Sequence, residues 1–324
     1  MVKSRVKKAL IVGVSGQDGA YLSKTLINAN YEVWGSSRNS KINLFNNLKE
    51  LFVYEQVKKL SMIPENFKEV FKTIEKIMPD EIYNLSGQSS VGLSFEKPLE
   101  TSESIILCVL NILESIRLIN KKIKFYNAGS SEIFGDIKSD KACEDTIFSP
   151  KSPYAASKAH TIWQVKVYRE SYDLFACSGI LFNHESPFRH EKYVTRKIIS
   201  SVCRIANGSS EKLILGNIKI KRDWGWAPEY VHAMKGMLSI DKAEDFVIST
   251  GVSNTLEDFV ELAFKNFGLN YKDYIIIDEK LFRPNEIMYS CGDPSKAKEF
   301  LNWSPKIRLD QIVQKLITSE LERK

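Results

Sequence analysis

A glycine-rich turn directly after a short apolar run places the strongest constraint on the fold of this chain. Residues 8–12 form the apolar run, and glycines at positions 13, 16 and 19 follow with the spacing G-x-x-G-x-x-G. The run is typical of a buried parallel strand. Glycines at this spacing permit a tight turn that brings the backbone close to a pyrophosphate. The first N–H groups of the following predicted helix, residues 20–28, would face that anion. The sequence therefore predicts a strand–turn–helix unit that binds a dinucleotide.

Strand and helix patterns alternate through the first half of the chain. Apolar runs predict strands over residues 31–35, 81–85, 123–128 and 175–182. Helical spacing of apolar residues predicts helices over residues 67–78, 104–119 and 157–172. This alternation predicts an α/β fold, namely a doubly wound parallel sheet of the Rossmann type with crossover helices.

The alternation loosens beyond about residue 190. Helices are predicted over residues 194–207, 228–238 and 255–267, the last with Ser253 or Asn254 as its cap, and strands over 213–215 and 246–249. We expect these elements to form a smaller C-terminal substrate-binding lobe. The expected division is a dinucleotide-binding domain over 1–190 and a substrate lobe over 191–324. No clean linker separates the two, so we expect interleaved elements.

Composition excludes several classes of partner. The formal net charge of +6 suits an anionic ligand such as a nucleotide diphosphate, but it is modest and spread out. A nucleic-acid surface needs a clustered basic face, so no nucleic-acid partner is expected. The five cysteines are scattered and lack metal-ligand spacing, which predicts reduced thiols in a cytoplasmic protein and no metal site. No apolar run approaches membrane-spanning length, so no membrane partner is expected.

Tyr154 and Lys158 lie four residues apart, so a helix would place them on one face. A lysine ammonium beside a phenol favours the phenolate and lowers the pKa of the tyrosine. Such a tyrosine can take a proton from a sugar hydroxyl while a hydride leaves the same carbon. Glu132, close after Ser130 at the end of a predicted strand, suggests a second proton transfer. The alternatives are a packed aromatic ring for Tyr154, a surface charge for Lys158, and ordinary turn residues for Ser130 and Glu132.

The residue after the second predicted strand bears on the choice of cofactor. An acidic residue there usually holds the ribose 2′-hydroxyl of NAD, whereas an arginine suits the 2′-phosphate of NADP. No acidic residue follows the strand here, but Arg38 does. We therefore expect NADP, with NAD as the alternative. A solvated loop cation is the alternative role for Arg38.

Further motifs resemble those of the extended short-chain dehydrogenase/reductases, and among them those of the GDP-mannose 4,6-dehydratase family. Besides the glycine-rich turn, the matching segments are residues 79–85, 168–172, 179–187, 194–198, 215–217, 222–225 and 292–294. The resemblance runs from residue 12 to about residue 305. It implies a hydro-lyase that converts GDP-mannose to GDP-4-keto-6-deoxymannose by internal hydride transfer and loss of water. It also implies a homodimer or homotetramer.

The resemblance implies roles for individual positions. The implied catalytic residues are Ser130, Glu132, Tyr154 and Lys158. The implied cofactor-binding residues are Gly13, Ser15, Gly16, Gln17, Asp18, Gly19, Arg38, Leu85, Ser86, Gln88, Tyr154, Lys158, His184 and Arg189. The implied substrate-binding residues are Ser89, Ser130, Glu132, Asn183, Val194, Lys197, Leu215, Gly216, Arg222, Arg283 and Glu286.

Departures from the family pattern lie mostly on the cofactor side. Asn39 stands for a basic residue, Glu100 for a tyrosine and Phe188 for an arginine. The Asp-Leu that holds adenine in the family either corresponds to Lys59-Leu60 or is displaced. These departures leave open whether the cofactor is NADP or NAD, and whether the assembly is a dimer or a tetramer.

Several other functions stay open at this point. A reductase or epimerase of a related nucleotide sugar would keep the Tyr154–Lys158 pair but would not need Glu132 as a C5 base. A 4,6-dehydratase could also act on another GDP-sugar, such as a GDP-heptose, and the 4-keto product could be reduced further by the same protein. A non-catalytic nucleotide-sugar sensor and a structural NAD(P)-binding protein are the remaining alternatives.

Overall fold

The computed structural model describes residues 5–138 and 140–323. The strands are β1 (Lys8–Val12), β2 (Glu32–Ser37), β3 (Val57–Ser61), β4 (Glu81–Asn84), β5 (Lys124–Ala128), β6 (Ala176–Leu181), β7 (Asn183–Glu185), β8 (Leu213–Leu215), β9 (Lys221–Trp226), β10 (Phe246–Ile248), β11 (Ser253–Thr255) and β12 (Ile275–Ile277). The helices are α1 (Gln17–Asn28), α2 (Asn46–Glu50), α3 (Phe67–Ile77), α4 (Val91–Glu96), α5 (Pro98–Ser102), α6 (Cys108–Ile119), α7 (Pro153–Tyr172), α8 (Val194–Ala206), α9 (Ala227–Met237), α10 (Leu256–Lys265), α11 (Ser295–Leu301) and α12 (Leu309–Glu322).

A seven-stranded sheet forms the centre of the molecule, with the strand order β10-β6-β5-β4-β1-β2-β3. Every neighbouring pair in this sheet is parallel. Two smaller sheets stand beside it, β11-β9-β7 and β12-β8. The order reverses next to β1, which makes this the doubly wound parallel sheet that the sequence predicts. Ligands of such sheets bind at the carboxyl ends of the strands.

Apolar side chains cover both faces of the central sheet. Because side chains alternate along a strand, Ala9 and Ile11 of β1 enter one core, while Leu10 and Val12 enter the other. The first core includes buried residues of α1 and α9. The second includes buried residues of α3, α6 and α7. A strand buried on both faces is continuously apolar, which explains the run that begins the chain's regular structure.

A separate apolar core lies in the C-terminal part of the chain. It joins α8, α10 and α12 with β8, around fully buried Phe259 and Phe264. However, α9 and β10 also lie beyond residue 190, and both pack into the core of the central sheet. The domain boundary between residues 190 and 191 stays a prediction. Both α9 and β10 follow this boundary in the sequence, but they pack with the elements that precede it.

Several helix boundaries differ from the prediction; α1, for example, begins at Gln17 and not at residue 20. Helix α7 begins at Pro153, four residues before the predicted start, because the Ser152 hydroxyl accepts a hydrogen bond from Ala155 N–H and caps the helix. The helix predicted over 104–119 is interrupted, since a π-helical segment, Glu103–Leu107, precedes α6. Thr255, not Ser253 or Asn254, caps α10, through a reciprocal pair of hydrogen bonds with Asp258.

Two compositional expectations can be compared with the described residues. None of the five cysteines forms a disulfide there. No described helix is both long enough and apolar enough to cross a lipid bilayer.

Candidate active site

The glycine-rich turn joins β1 to α1 and leaves no room for side chains on its inner side. Gly13 has a φ of 89°, in the region that favours glycine. A Cβ at Gly13 would lie 2.9 Å from the Leu85 carbonyl oxygen, and a Cβ at Gly19 would lie 2.5 Å from the Gly13 carbonyl oxygen. Gly16 is exposed and caps α1, while the carbonyl of Ser15 accepts a hydrogen bond from Asn47. This bare backbone at a helix N-terminus fits a pyrophosphate.

The side chains of Gln17 and Asp18 tie α1 to β7. Gln17 Nε2 donates to the His184 carbonyl at 3.3 Å, and Gln17 Oε1 accepts from the Ser186 hydroxyl at 2.7 Å. His184 Nε2 lies 2.9 Å from Asp18 Oδ2. These two polar side chains are therefore engaged with the protein itself. The N–H groups of Gly13, Val14 and Gly16 also donate to the carbonyls of Ser36 and Gly13, so a ligand would meet the N–H groups at the start of α1.

His184 faces an acceptor at each of its ring nitrogens. Its Nδ1 lies 2.7 Å from the Phe182 carbonyl oxygen, opposite the Asp18 contact. Because both partners only accept, both hydrogen bonds form together only in the doubly protonated ring. Burial alone would lower the pKa of His184, but the Asp18 carboxylate outweighs it and the pKa is raised. Burial likewise opposes ionisation of Asp18, yet His184 holds the pKa of that carboxyl below its ordinary value.

Tyr154 and Lys158 lie in the first two turns of α7, both buried. The Lys158 ammonium donates to the Ala128 carbonyl at 2.8 Å and lies 5.9 Å from the centre of the Tyr154 ring. Ser130, also buried, hydrogen-bonds the Tyr154 hydroxyl. The helix thus brings the predicted base, its lysine and the serine into one place.

The expected direction of the Tyr154 pKa is wrong for this structure. Burial raises the pKa of Tyr154 to about 12, and the hydrogen bond from Ser130 offsets only part of that rise. Burial also lowers the pKa of Lys158 to about 8. The sequence spacing shows that the two groups share a helix face, but it does not show how strongly desolvation disfavours both charged forms.

Glu132 and Arg222 extend this cluster. Glu132 lies in a 3₁₀ turn, Ser131–Phe134, and its backbone N–H donates to the Ser130 hydroxyl at 3.3 Å. Its carboxylate is close enough to act electrostatically on both Tyr154 and Arg222. Burial lowers the pKa of the Arg222 guanidinium, and the Glu132 charge opposes that change. One cluster therefore combines a phenol, a carboxylate and a guanidinium.

The two terminal nitrogens of the Arg222 guanidinium differ in their hydrogen bonding. Its Nη1 donates to the carbonyls of Lys221 at 2.9 Å and Ile287 at 2.8 Å. Its Nη2 is buried without a hydrogen-bond partner and lies 3.6 Å from Glu286 Oε1. Arg283 also acts on it electrostatically. The predicted residues Arg222, Arg283 and Glu286 therefore lie together with Glu132.

The other predicted substrate residues form a second group around α8 and β8. Lys197 is exposed, and its ammonium donates to the Ile214 carbonyl at 2.7 Å. Leu215 is buried at the end of β8, and a Cβ at Gly216 would lie 3.1 Å from the Leu281 carbonyl oxygen. Val194 begins α8, and Asn183 begins β7.

The other residues predicted to bind the cofactor lie in the loops that follow β2 and β4. Arg38 is 68% exposed and lies 3.9 Å from Glu65. Ser86 donates to Asn84 at 2.7 Å. Leu85 is partly buried against the first core. Gln88 is engaged within its own loop and with Thr101, at 3.0 Å.

Of the two alternatives for the adenine-holding Asp-Leu, the structure favours a displaced counterpart over Lys59-Leu60. Lys59 and Leu60 lie inside β3, and Lys59 donates to the Tyr54 carbonyl at 2.6 Å. The residues that follow the strand at the ligand edge begin with Met62. Two other departures from the family pattern occupy surface or packing positions. Glu100 pairs with Lys97 at 3.2 Å, and the Phe188 ring stacks on Tyr21.

Tyr193 is a site residue that the sequence analysis missed. Its hydroxyl lies 2.6 Å from the Ser89 hydroxyl, which joins the loop after β4 to the start of α8. The Arg189 guanidinium lies 4.0 Å from the centre of its ring, and Tyr193 also acts electrostatically on Tyr154. No local pattern marks Tyr193, because its partner Ser89 is 104 residues away in the chain.

Comparison with known proteins agrees with this geometry. Residues 10–316 match the family described as GDP-mannose 4,6 dehydratase. GDP-mannose 4,6 dehydratase 1 of Arabidopsis thaliana is 42% identical over 332 residues, which cover 99% of this chain and 91% of the relative. The chain belongs to the GDP-mannose 4,6-dehydratase family.

Solved structures share the fold of this GDP-mannose 4,6-dehydratase family member at low sequence identity. A dTDP-glucose 4,6-dehydratase of Bacillus anthracis in complex with NAD has a TM-score of 0.85 and 18% identity, covering 98% of this chain and 97% of that one. RMD of Pseudomonas aeruginosa, complexed with NADPH, has a TM-score of 0.81 and 18% identity, covering 98% and 100%. At this identity the likeness shows the fold alone.

Proposed function

We propose that this chain is a hydro-lyase that converts GDP-mannose to GDP-4-keto-6-deoxymannose. The observation that carries the proposal is the placement of Glu132, in the 3₁₀ turn after β5, close enough to the buried Tyr154 to act on it electrostatically. Dehydration at C5 and C6 needs one base for an O–H group and a second for a C–H group. A simple reductase or epimerase does not need the second base.

We propose a nicotinamide dinucleotide as the cofactor, with its pyrophosphate on the glycine-rich turn. The bare backbone at Gly13, Gly16 and Gly19 supports this placement. So do the relatives of the same fold that hold NAD or NADPH. When bound, the nicotinamide would take a hydride from C4 of the sugar and later return it to C6. Arg38 supports the predicted preference for NADP, whereas its neighbour Glu65 supports NAD.

The residues of the chain divide the proton transfers between them. Tyr154, hydrogen-bonded to Ser130, takes the proton of the sugar 4-hydroxyl as a ketone forms at C4. The ketone acidifies the proton on C5, which Glu132 removes, and the C6 hydroxyl leaves as water. A proton then returns to C5. Burial of Tyr154 and Lys158 keeps bulk water away from the reacting carbons.

Arg222 supplies the strongest candidate contact for the negatively charged part of the substrate. Its Nη2 is buried without a hydrogen-bond partner, and such a group gains free energy when it meets an anion. Glu286 lies 3.6 Å from it and offsets its charge until a ligand arrives. Lys197, at the edge of β8, adds a second cation for the guanosine diphosphate.

Mass spectrometry of GDP-mannose incubated with the purified protein tests the proposal, with NAD and NADP supplied separately. We expect a product lighter by one water, formed with catalytic amounts of dinucleotide. An unchanged mass with an altered sugar would indicate an epimerase. A product two hydrogens lighter, formed with stoichiometric reduction of the dinucleotide, would indicate a simple oxidoreductase. No change with GDP-mannose, together with water loss from a GDP-heptose, would keep the chemistry and change the sugar.

Glu132→Gln is the matched variant for this test. We expect water loss to stop while GDP-mannose still binds in calorimetry, because the amide keeps the shape of the side chain but cannot take a proton. Unchanged turnover would remove Glu132 from the mechanism and leave the dehydratase proposal without its main support.

We also propose a cytoplasmic homodimer or homotetramer. Trp163 and Val167 on α7 are 55% and 52% exposed, and Leu118 on the neighbouring α6 is 53% exposed. A second copy of the chain could cover these apolar side chains. Light scattering after size-exclusion chromatography tests this, and a monomer at micromolar concentration would contradict it.

A further inference from the structure

The connections that follow β2 and β3 leave the central sheet side by side. Ser37 and Ser61 are partners at the end of the paired strands. The Ser40 and Ser61 hydroxyls lie 2.9 Å apart, and Met62 N–H donates to the Ser37 carbonyl at 3.0 Å. These bonds hold the loop that carries Arg38 against the connection that leads from β3 to α3. Both lie at the ligand edge of the sheet, where the ribose of a dinucleotide meets the end of the second strand.

Glu65 brings a carboxylate to this position from the β3–α3 connection. Its Oε1 lies 3.9 Å from Arg38 Nη2. Its Oε2 is buried and has no hydrogen-bond partner among the described residues. The carboxylate also acts electrostatically on Cys108, whose thiol lies 3.1 Å from the Ser86 hydroxyl. Glu65 therefore lies between Arg38 and the loop after β4, on the side of the sheet edge where an adenosine would bind.

The unpartnered Oε2 of Glu65 favours some ligand groups over others. An unpartnered carboxylate oxygen accepts hydrogen bonds, so it suits a ribose hydroxyl or the amino group of a purine. It opposes a phosphate, because two negative charges would share a partly buried site. Arg38 favours a phosphate, but its side chain is 68% exposed and its charge is partly offset by Glu65.

We propose that Glu65 is a cofactor-selectivity residue, which lowers the affinity of this site for the 2′-phosphate of NADP relative to the 2′-hydroxyl of NAD. The inference rests on the proposed use of a nicotinamide dinucleotide. Glu65 supplies, from the connection that follows the neighbouring strand β3, the acidic group that is missing directly after β2. Sequence spacing alone does not reveal it, because Glu65 and Arg38 belong to different strand ends.

The test compares binding of NAD and NADP to the wild-type protein and to Glu65→Gln by isothermal titration calorimetry, without substrate. We expect the variant to raise the affinity ratio of NADP over NAD by about tenfold, which corresponds to about 1.4 kcal/mol. Adenosine 2′,5′-bisphosphate and 5′-AMP serve as smaller probes that do not depend on the nicotinamide end. They should show the same change in ratio.

Glu69→Gln is the matched control. It removes the same charge from the same region of the chain, but the Glu69 carboxylate accepts from Ile63 N–H at 2.8 Å and has no ion pair with Arg38. In Glu69→Gln the affinity ratio of NADP over NAD should change less than twofold. An equal ratio in the wild-type protein and Glu65→Gln, or an equal change in both variants, would overturn the inference. Failure of every variant to bind either dinucleotide would overturn the proposed cofactor as well.

Discussion

The ion pair between Asp18 and His184 should make the stability of the unliganded protein depend on pH. The two side chains are 20% and 10% exposed, and they join the first turn of α1 to β7. Removing one partner of a buried ion pair costs about 3–5 kcal/mol, because the other charge is left unpaired. Partial exposure places this pair at the lower end, so Asp18→Asn should lower the free energy of unfolding by about 3 kcal/mol at pH 6.

The direction of the pH dependence follows from the two pKa shifts. The pKa of His184 is raised, so its contribution is complete below the ordinary value of about 6.5 and is lost as the pH rises through the folded-state pKa. The pKa of Asp18 is lowered, so its contribution is present above about 3.9 and is lost as the pH falls through the folded-state pKa. Once the pH has risen through the folded-state pKa of His184 the histidine is neutral, and Asp18→Asn should then cost only about 1 kcal/mol, the net value of one hydrogen bond.

Urea unfolding followed by tryptophan fluorescence and circular dichroism, at pH 6 and at a series of pH values rising to 9 without ligand, measures both costs. Glu211→Gln is the control, because the Arg204–Glu211 pair is 47% and 33% exposed and its loss should cost less than about 1 kcal/mol. A destabilisation by Asp18→Asn that is equal at all of these pH values would refute the reasoning. So would a loss below about 1 kcal/mol at pH 6.

Two further variants test other parts of the site. Gly19→Ala would place its Cβ 2.5 Å from the Gly13 carbonyl oxygen, so we expect a loss of about 1–3 kcal/mol in thermal unfolding and weaker dinucleotide binding in calorimetry; normal values for both would show that the turn can widen. Tyr193→Phe removes the hydroxyl that lies 2.6 Å from Ser89, so we expect a KM for GDP-mannose raised several-fold with kcat little changed. Ser89→Ala should match it, and a fall in kcat alone would place Tyr193 in the chemistry instead.

The sequence predicted best those features that depend on neighbouring residues. The strand β1, the glycine-rich turn and the doubly wound parallel sheet followed from local patterns, because a buried parallel strand is apolar along its whole length. The early start of α7 also has a local signal, since Ser152 is followed by Pro153. The π-helical segment before α6 has no such signal.

Residues that act through distant partners could not be predicted in the same way. Tyr193 meets Ser89 from 104 positions away, and Glu65 meets Arg38 only because β2 and β3 are neighbours in the sheet. Lys59-Leu60 was one of two alternatives for the adenine end, and the choice needed the bounds of β3, for which no range was predicted. Burial is likewise a property of the whole fold, which is why the expected pKa of Tyr154 had the wrong direction.

The electrostatics of Tyr154 and Glu132 further predict that oxidation at C4 can be separated experimentally from the loss of water. Burial raises the pKa of Tyr154 most, and the negative charge of Glu132 raises it further. Glu132→Gln removes that charge, so it favours the phenolate, which in the proposed mechanism accepts the 4-hydroxyl proton, while it abolishes the proposed base for C5. In stopped-flow experiments with GDP-mannose, the variant should therefore accumulate reduced nicotinamide, seen by its absorbance, at least as fast as the wild-type protein. Water loss should be absent. If reduced nicotinamide also failed to form while GDP-mannose still bound, Glu132 would be required for oxidation at C4, and the assignment of separate bases to the O–H and C–H protons would be wrong.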